Sequence, residues 1–230
     1  MISIITPVLN ESGIIKPFFE HLNSLSGKFE LILVDGGSSD TTINEINRER
    51  KSFKKKLTVV KTYQGRGNQM NKGAVVAKSD ILLFLHIDCK IEKETIPIIE
   101  KEIRENKIIG GGLYQEFLES DDFLKLASNF GNFRSRITKI FFGDCGIFVR
   151  KDIFELTAGY DDIVFLEDVE FCKKVKKFGK LKQINCKIFS SPRRYVKIGK
   201  IKISIIFTLS YLLNSFGFRP KFFIEYIVNK

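Results

Sequence analysis

Cysteine, histidine and proline are scarce in this chain of 230 residues. It has two histidines, five prolines and four cysteines (Cys89, Cys145, Cys172 and Cys186), with no CxxC pair and no histidine cluster. This spacing disfavours a zinc site and a disulfide framework, and we interpret the four cysteines as reduced thiols. The hydrophobic share of 43% and the charged share of 28% exclude a disordered, collagen-like or coiled-coil chain. The length suits one large domain with a sizeable core.

The first residues lack the basic region that precedes the apolar core of a signal peptide, and their apolar run is too short for one. We therefore expect a cytoplasmic protein, with contact at the inner face of the cell membrane as a further option.

Acidic residues are scarce near the C-terminus. The chain has a net charge of +11, and residues 190–230 contain eight Lys or Arg against one acidic residue, Glu225. The positive electrostatic potential of such a chain attracts polyanions, anionic lipids or phosphorylated substrates, and the charge alone does not select among them.

Short apolar runs alternate with helical patterns from the first residue. We predict strands at residues 2–8, 30–34, 57–61 and 81–85, and amphipathic helices at 14–25, 40–53 and 68–77. This alternation predicts an α/β fold with a doubly wound, mostly parallel sheet. Beyond residue 90 we predict helices at 93–106, 121–139 and 169–178 and strands at 113–118 and 146–149.

Residues 203–218 carry no charge. They read as an apolar helix with a narrow polar stripe, shorter than the roughly 20 residues of a membrane span. One interpretation is a buried helix or dimer contact. The other is a helix lying in a membrane interface, with the preceding basic residues meeting anionic headgroups.

Polar and glycine-rich residues follow each of the first four predicted strands. In an open parallel sheet, ligands bind beyond the carboxyl ends of the strands. The segments are Thr-Pro-Val-Leu-Asn-Glu at 6–11, Asp-Gly-Gly-Ser-Ser-Asp at 35–40, Gln-Gly-Arg-Gly-Asn-Gln-Met-Asn-Lys-Gly at 64–73 and His-Ile-Asp at 86–88.

These segments together resemble family 2 glycosyltransferases, which have the A-type nucleotide-sugar-binding fold with a Rossmann-like topology. More narrowly, F-L-H-x-D at 84–88 and S-x-R-R at 191–194 resemble a small bacterial subgroup; Gly-Tyr-Asp at 159–161 and Glu-Asp-Val-Glu at 167–170 also match. The resemblance covers residues 1–195 and implies a catalytic domain there. Residues 1–90 would form its nucleotide-binding half, 91–195 its acceptor half, and 196–230 a basic, apolar helical tail.

The resemblance implies a set of nucleotide-sugar contacts. Asp35 would accept a hydrogen bond from the base, which the family implies is uracil. Asp40 either orients that loop or caps the next helix. Arg66, at a helix start, suits a diphosphate, and its alternative is a solvated surface arginine. The remaining candidates for donor contact are Pro7, Asn10, Glu11, His86, Asp144, Arg193 and Arg194. For the two arginines, the alternative is a clamp on an acidic acceptor.

Asp88 is the predicted metal ligand. A nucleoside diphosphate leaving group calls for a divalent cation with oxygen ligands, Mn²⁺ or Mg²⁺. The broad family has two aspartates flanking one residue, and here His86 stands in place of the first. His86 is therefore assigned to the ribose or the sugar, with a structural histidine as the alternative.

Asp168 is by resemblance the general base that takes the proton of the acceptor hydroxyl, and Glu167 would position it or touch the acceptor. A helix N-terminal acid is the alternative for Asp168. Asp144 is a sugar-hydroxyl candidate or a plain turn residue.

The predicted reaction is an inverting, metal-assisted transfer of a hexosyl-type sugar from a nucleotide-diphosphate sugar, most simply a UDP-sugar. The acceptor would be a hydroxyl, with a lipid-linked acceptor suggested by the tail. One alternative is a non-catalytic nucleotide-sugar-binding protein, because His86 replaces an aspartate. A more remote alternative is a basic nucleic-acid-binding module, which the absence of any RNP, helix-turn-helix or zinc-finger pattern disfavours, so we expect no nucleic-acid partner.

Overall fold

A computed structural model of the chain describes residues 1–218. Part of the predicted tail, including Glu225 and the cations Arg219, Lys221 and Lys230, lies outside the described residues.

The first half alternates strand and helix as predicted. The strands are β1 (Ile2–Val8), β2 (Phe29–Asp35), β3 (Lys56–Lys61) and β4 (Ile81–Phe84). The helices between them are α1 (Ile15–Asn23), α2 (Thr42–Glu49) and α3 (Arg66–Val76). Helix α3 begins two residues earlier than predicted, so Arg66 is its first residue.

The second half is more varied than the sequence indicates. Its strands are β5 (Cys89–Ile91), β6 (Gly110–Phe117), β7 (Ile147–Arg150) and β8 (Leu181–Ser190). Its helices are α4 (Thr95–Glu105), α5 (Asp122–Thr138), α6 (Lys151–Leu156), α7 (Glu167–Val175), α8 (Arg193–Ile198) and α9 (Lys200–Ser215). Of these elements, β5, β8, α6 and α8 were not predicted from the sequence, and β6 begins three residues before its predicted start.

The eight strands form one sheet in the order β3-β2-β1-β4-β7-β6-β8-β5. Strands β1 to β4 are mutually parallel, β7 and β5 run antiparallel to their neighbours, and β6 is parallel to β8. Buried residues of α1, α2 and α4 pack on one face, and those of α3, α6, α7 and α9 pack on the other. The fold is thus a doubly wound α/β sheet, mostly parallel, as predicted.

The glycine run at residues 110–112 lies inside β6 because its neighbours approach too closely for a side chain. A Cβ on Gly111 would lie 1.8 Å from the carbonyl oxygen of Lys182 in β8, and one on Gly112 would lie 2.5 Å from the Phe141 ring. Both distances are shorter than non-bonded carbon contacts allow. The glycines therefore permit the strand pairing that their low strand propensity disfavours.

Helix α9 confirms the predicted helix in the tail and packs on the domain by one side. Ile203 and Ile206 are buried in the same core as α3 and α7, and Phe207 stacks on Phe165 with a centroid separation of 6.0 Å. None of the helices found in residues 1–218 combines the length and apolarity needed to cross a membrane.

Candidate active site

The carboxyl ends of β1 and β2 are joined by a buried glutamine of α3. The Gln69 side-chain amide donates to the carbonyl oxygens of Val8, at 2.9 Å, and Val34, at 2.8 Å. Pro7, in β1, lies opposite Val34 in the ladder. The loops that follow these strands are therefore anchored to the same point of the sheet.

Asn10 connects the two loops. It has φ of 53°, in the left-handed region that asparagine tolerates, and its Oδ1 accepts the N–H of Ser39 at 2.8 Å. Its own N–H donates to the Ser38 Oγ at 3.0 Å. Buried Asp35, at the end of β2, accepts the Ser38 N–H at 3.0 Å. Asn10 and Asp35 thus lie on either side of one short loop.

Asp40 is exposed and links the same loops. Its carboxylate accepts the backbone N–H groups of Thr42, at 2.9 Å, and Ser12, at 3.2 Å. Hydrogen bonds, first of all from the Thr42 side chain, lower the pKa of Asp40 to about 2. Asp40 therefore bonds both to the start of α2 and to the loop after β1.

Arg66 lies at the start of α3 and is ion-paired, not freely solvated. Its Nε is 3.2 Å from Oε1 of Glu167, which is buried at the start of α7. This ion pair holds the Arg66 side chain against the start of α7.

Asp168 adjoins this pair. One carboxylate oxygen accepts the N–H of Gly143, and the other accepts the N–H of Val169 at 2.8 Å. Burial, reinforced by the negative charge of Glu167 and opposed by Arg66, raises the pKa of Asp168 to about 7.

His86 lies against Gly143, where a Cβ would be 2.8 Å from the imidazole Nε2. Burial and the nearby charge of Arg66 lower the pKa of His86 to about 4. The ring is therefore neutral at physiological pH, and one of its nitrogens is a hydrogen-bond acceptor.

Arg193, the first residue of α8, joins the two halves of the chain. Its guanidinium binds Glu11 through two bonds of 3.1 and 2.9 Å, and its Nε is 3.0 Å from Oδ2 of Asp88. Because α8 connects directly to α9, this contact ties the predicted metal ligand to the tail.

Asp144 and Arg194 are electrostatically coupled to this group. Burial raises the pKa of Asp144, partly offset by the positive charge of Arg134. Burial also lowers the pKa of Arg194, with a further contribution from Arg66. Asp88 acts on both residues, so carboxylates and guanidinium groups alternate across this end of the site.

Sequence reasoning missed Gln69, Gly143 and Arg134. The Arg134 guanidinium lies over the rings of Phe142, at 3.8 Å, and Tyr211, at 4.8 Å. Gln69 lies in the polar segment 64–73 and Gly143 directly precedes Asp144, but nothing in the local sequence of α5 distinguishes Arg134 from a surface arginine.

The predicted metal ligand has chemistry that suits Mg²⁺ or Mn²⁺, although residues 1–218 contain no group of three His, Cys, Asp or Glu side chains placed to hold an ion. Such cations are held in many enzymes by one or two carboxylates together with substrate phosphates. Asp88 supplies one such carboxylate, and its negative charge contributes to the raised pKa of Asp144.

The sequence model of "Glycosyl transferase family 2" matches residues 3–156, well over half of the chain. The chain belongs to glycosyl transferase family 2. The match contains Asp35, Arg66 and Asp88 but ends before Glu167, so the narrower bacterial subgroup remains a prediction.

Relatives of this family 2 chain include a "PGL/p-HBAD biosynthesis glycosyltransferase" of Mycobacterium bovis and one of Mycobacterium tuberculosis. Each is 34% identical over 110 residues, covering 46% of this chain and 43% of the relative. The matched region is thus less than half of either protein.

Two solved structures share the fold. The S. aureus TarS fragment 1–349 in complex with UDP-GlcNAc has a TM-score of 0.64 and 17% identity, covering 83% of this chain and 58% of that one. The mannosyltransferase PcManGT from Pyrobaculum calidifontis, in complex with GDP-Man and Mn²⁺, has a TM-score of 0.66 and 18% identity, covering 81% and 56%. The predicted A-type glycosyltransferase fold is confirmed.

Proposed function

We propose that this chain transfers a hexosyl-type sugar from a UDP-sugar to an acceptor hydroxyl by a single displacement with inversion. The observation that carries the proposal is the meeting of Asp168, the Arg66–Glu167 pair, His86 and Asp88 beyond the carboxyl ends of the parallel strands. Ligands of open α/β sheets bind at this edge.

On the donor side, Asp35 would accept a hydrogen bond from the uracil imide, with Pro7, Asn10 and Asp40 holding the loops around the nucleoside. Arg66 would balance the charge that develops on the diphosphate as it leaves, since stabilisation of that charge lowers the barrier. Arg193 and Arg194 would add to this balance from α8.

A divalent cation, Mn²⁺ or Mg²⁺, would supply further neutralisation of the leaving diphosphate. Asp88 would hold it, together with phosphate oxygens. In the structure Arg193 bonds to Asp88, so donor binding would require Arg193 to exchange a carboxylate partner for phosphate.

On the acceptor side, Asp168 would take the hydroxyl proton as the oxygen attacks. A base with a pKa near 7 is well matched to this step at physiological pH. Glu167 would position Asp168 through charge, and Asp144 would bind a sugar hydroxyl.

The acceptor is proposed to be lipid-linked. A groove of about 350 Å³ begins at Arg193 and is lined also by Leu118, Pro192 and Val196. Its partly apolar lining supports an amphipathic acceptor. The tail from residue 196 onward would contact the cytoplasmic face of the membrane, and this contact would bring the groove near such an acceptor.

The test combines binding and turnover. Thermal unfolding of the full chain is measured with UDP, UDP-sugars and GDP-mannose, with and without Mn²⁺, because a ligand of the native state raises Tm. We expect a Mn²⁺-dependent rise for UDP compounds that Asp88→Asn removes. Asp80→Asn, an exposed position at the opposite end of β4, is the matched control.

Transfer is then assayed with the preferred donor. Asp168→Asn should retain the donor-induced rise in Tm and lose transfer by about 10²–10⁴-fold. Ordinary turnover in Asp168→Asn would refute the base assignment. Donor binding without turnover in the unaltered chain would favour the alternative suggested by His86, a nucleotide-sugar-binding protein.

A further inference from the structure

Helix α5 has its apolar side facing outward. Its buried residues are Leu124, Ser128, Asn132 and Ser135, of which three are polar. Ser128 and Asn132 are held by hydrogen bonds to Gln115 of β6. A helix on a globular domain normally directs its apolar stripe to the core, so α5 is reversed.

The outward side of α5 carries four large apolar side chains. Leu126, Phe130, Phe133 and Ile137 are each between 62 and 68% exposed. Their spacing of four, three and four residues places them on one stripe, and the stripe is about 17 Å long at 1.5 Å per residue.

Helix α9 presents a matching stripe. Ile205, Leu209, Leu212 and Phe216, at its end, are exposed on the side opposite buried Ile203 and Ile206. The spacing is again four, three and four residues, so the two helices repeat one pattern.

The two stripes are in register. Lys200 is ion-paired with Asp121, 79 residues before it, at the N-terminal ends of the two helices. Near their C-terminal ends, Tyr211 packs under Arg134 at 4.8 Å. The helices therefore run side by side and parallel. The offset of 79 residues between Asp121 and Lys200 also separates Leu126 from Ile205, Phe130 from Leu209, Phe133 from Leu212 and Ile137 from Phe216.

The charges around the stripes are mostly positive, and the exposed acids Asp121 and Asp122 at the start of α5 are ion-paired with Lys200 and Lys125. Beyond Asp122, neither α5 nor α9 contains an acidic residue. Further cations on or next to the two helices are Arg136, Lys139, Lys197 and Lys202. A second copy of this chain, or residues 219–230 with their excess of cations, would bring like charges together on this surface. An anionic surface would complement it.

We propose that the outer face of α5 and α9, defined by the eight residues of the two stripes, docks on an anionic lipid bilayer. The apolar side chains enter the headgroup–acyl boundary and the flanking cations meet lipid phosphates. The inference rests on the proposed membrane contact of the tail and deepens it, because half of the docking surface belongs to α5, far from the tail in sequence.

The surface also has a position relative to the site. Residues Leu118 and Glu119, which precede α5, and Val196 and Lys197, which precede α9, line the groove at Arg193. The N-terminal ends of α5 and α9 therefore border the groove. A bilayer docked on the outer face of these helices would lie next to the groove.

The test is co-sedimentation of the full chain with vesicles of phosphatidylcholine alone or with one quarter phosphatidylglycerol. We expect binding to the anionic vesicles that weakens as salt rises. Phe130→Ser combined with Phe133→Ser should weaken it by about tenfold or more, since two large apolar groups are lost from the boundary. Val75→Ser combined with Leu156→Ser, two exposed apolar positions elsewhere, should leave binding unchanged.

Three further measurements separate the outcomes: the Tm, the rise in Tm with UDP, and sedimentation equilibrium. The variant with Phe130→Ser and Phe133→Ser, called the α5 variant, should keep the Tm and the UDP response of the unaltered chain. Its loss of vesicle binding then cannot be a loss of fold or of the donor site. Equal vesicle binding by the α5 variant and the unaltered chain would refute the α5 surface and leave the tail contact standing.

A fall in Tm in the α5 variant would show that the face is covered within the chain and would overturn the proposal. Sedimentation equilibrium completes the test. A dimer that depends on Phe130 and Phe133, in a chain that binds no vesicles, would assign the face to a second copy.

Discussion

At the scale of single residues, the chemistry depends on how Asp168 is held. Two backbone N–H groups stabilise its charged form, while burial and Glu167 oppose ionisation. The positive charge of Arg66 favours ionisation of Asp168, and Arg66 is itself paired with Glu167. The resulting pKa of about 7 lies well above that of a free aspartate.

A pH dependence follows for kcat/KM. A base acts only when deprotonated, so below pH 7 the rate should rise about tenfold per pH unit and level off above it. Glu167→Gln removes the like charge that raises the Asp168 pKa and leaves Arg66 free to lower it further. The rising limb should therefore move to lower pH in that variant.

The measurement is the pH profile of single-donor transfer for the unaltered chain and for Glu167→Gln. Glu155→Gln, exposed on α6 and paired with Lys151, is the control that should keep the original profile. A limb that stays in place, or moves to higher pH, in Glu167→Gln would contradict the electrostatic account of Asp168.

At the scale of elements, the strand β6 shows what local sequence does and does not determine. Three consecutive glycines have low strand propensity. They nevertheless form part of a strand, because β8 and Phe141 approach so closely that only glycine fits. That information lies in distant parts of the chain.

Gly111→Ala should therefore destabilise the fold. A Cβ at this position meets the Lys182 carbonyl, which belongs to the backbone of β8 and cannot rotate away. We expect a loss of about 1–3 kcal/mol in the free energy of unfolding, typical of overpacking. Gly131→Ala, in α5 with no atom within 4 Å of its Cβ, should instead stabilise by up to about 1 kcal/mol. Urea unfolding of both variants checks the pair, and equal effects would contradict the close-approach argument.

The first half of the chain could be predicted because its signals are local. Apolar runs mark β1 to β4, and each is followed by residues such as Asp35 and Asp88 that reach the carboxyl edge. The strand β8 was missed although Ile184, Cys186 and Ile188 alternate as buried positions. Lysine and other polar residues at the start of β8 obscure this alternation in the sequence. The position of Arg134 depends on the packing of α5 against α9, which no local pattern encodes.

At the scale of the whole molecule, the boundary drawn from the sequence at residue 195 does not mark a loss of packing. Helix α9 inserts Ile203 and Ile206 into the core shared by α3, α6 and α7, and Phe207 contacts both Phe165 and Phe142. The same helix exposes its opposite side. One element thus contributes to the fold by one face and is available for docking by the other.

This dual role predicts a contrast between two isoleucines of α9. Ile203 is fully buried, whereas Ile201, two residues earlier, is 68% exposed. Ile203→Ala should cost about 2–5 kcal/mol of unfolding free energy through lost burial and the cavity that remains. Ile201→Ala should change it by less than about 0.5 kcal/mol. Thermal and urea unfolding of the full chain, without lipid, measure both.

If the two variants were equally stable, α9 would be separable from the domain, and binding of a ligand to α9 could not affect the site. A large difference means that α9 is part of the body that holds Arg193 against Asp88.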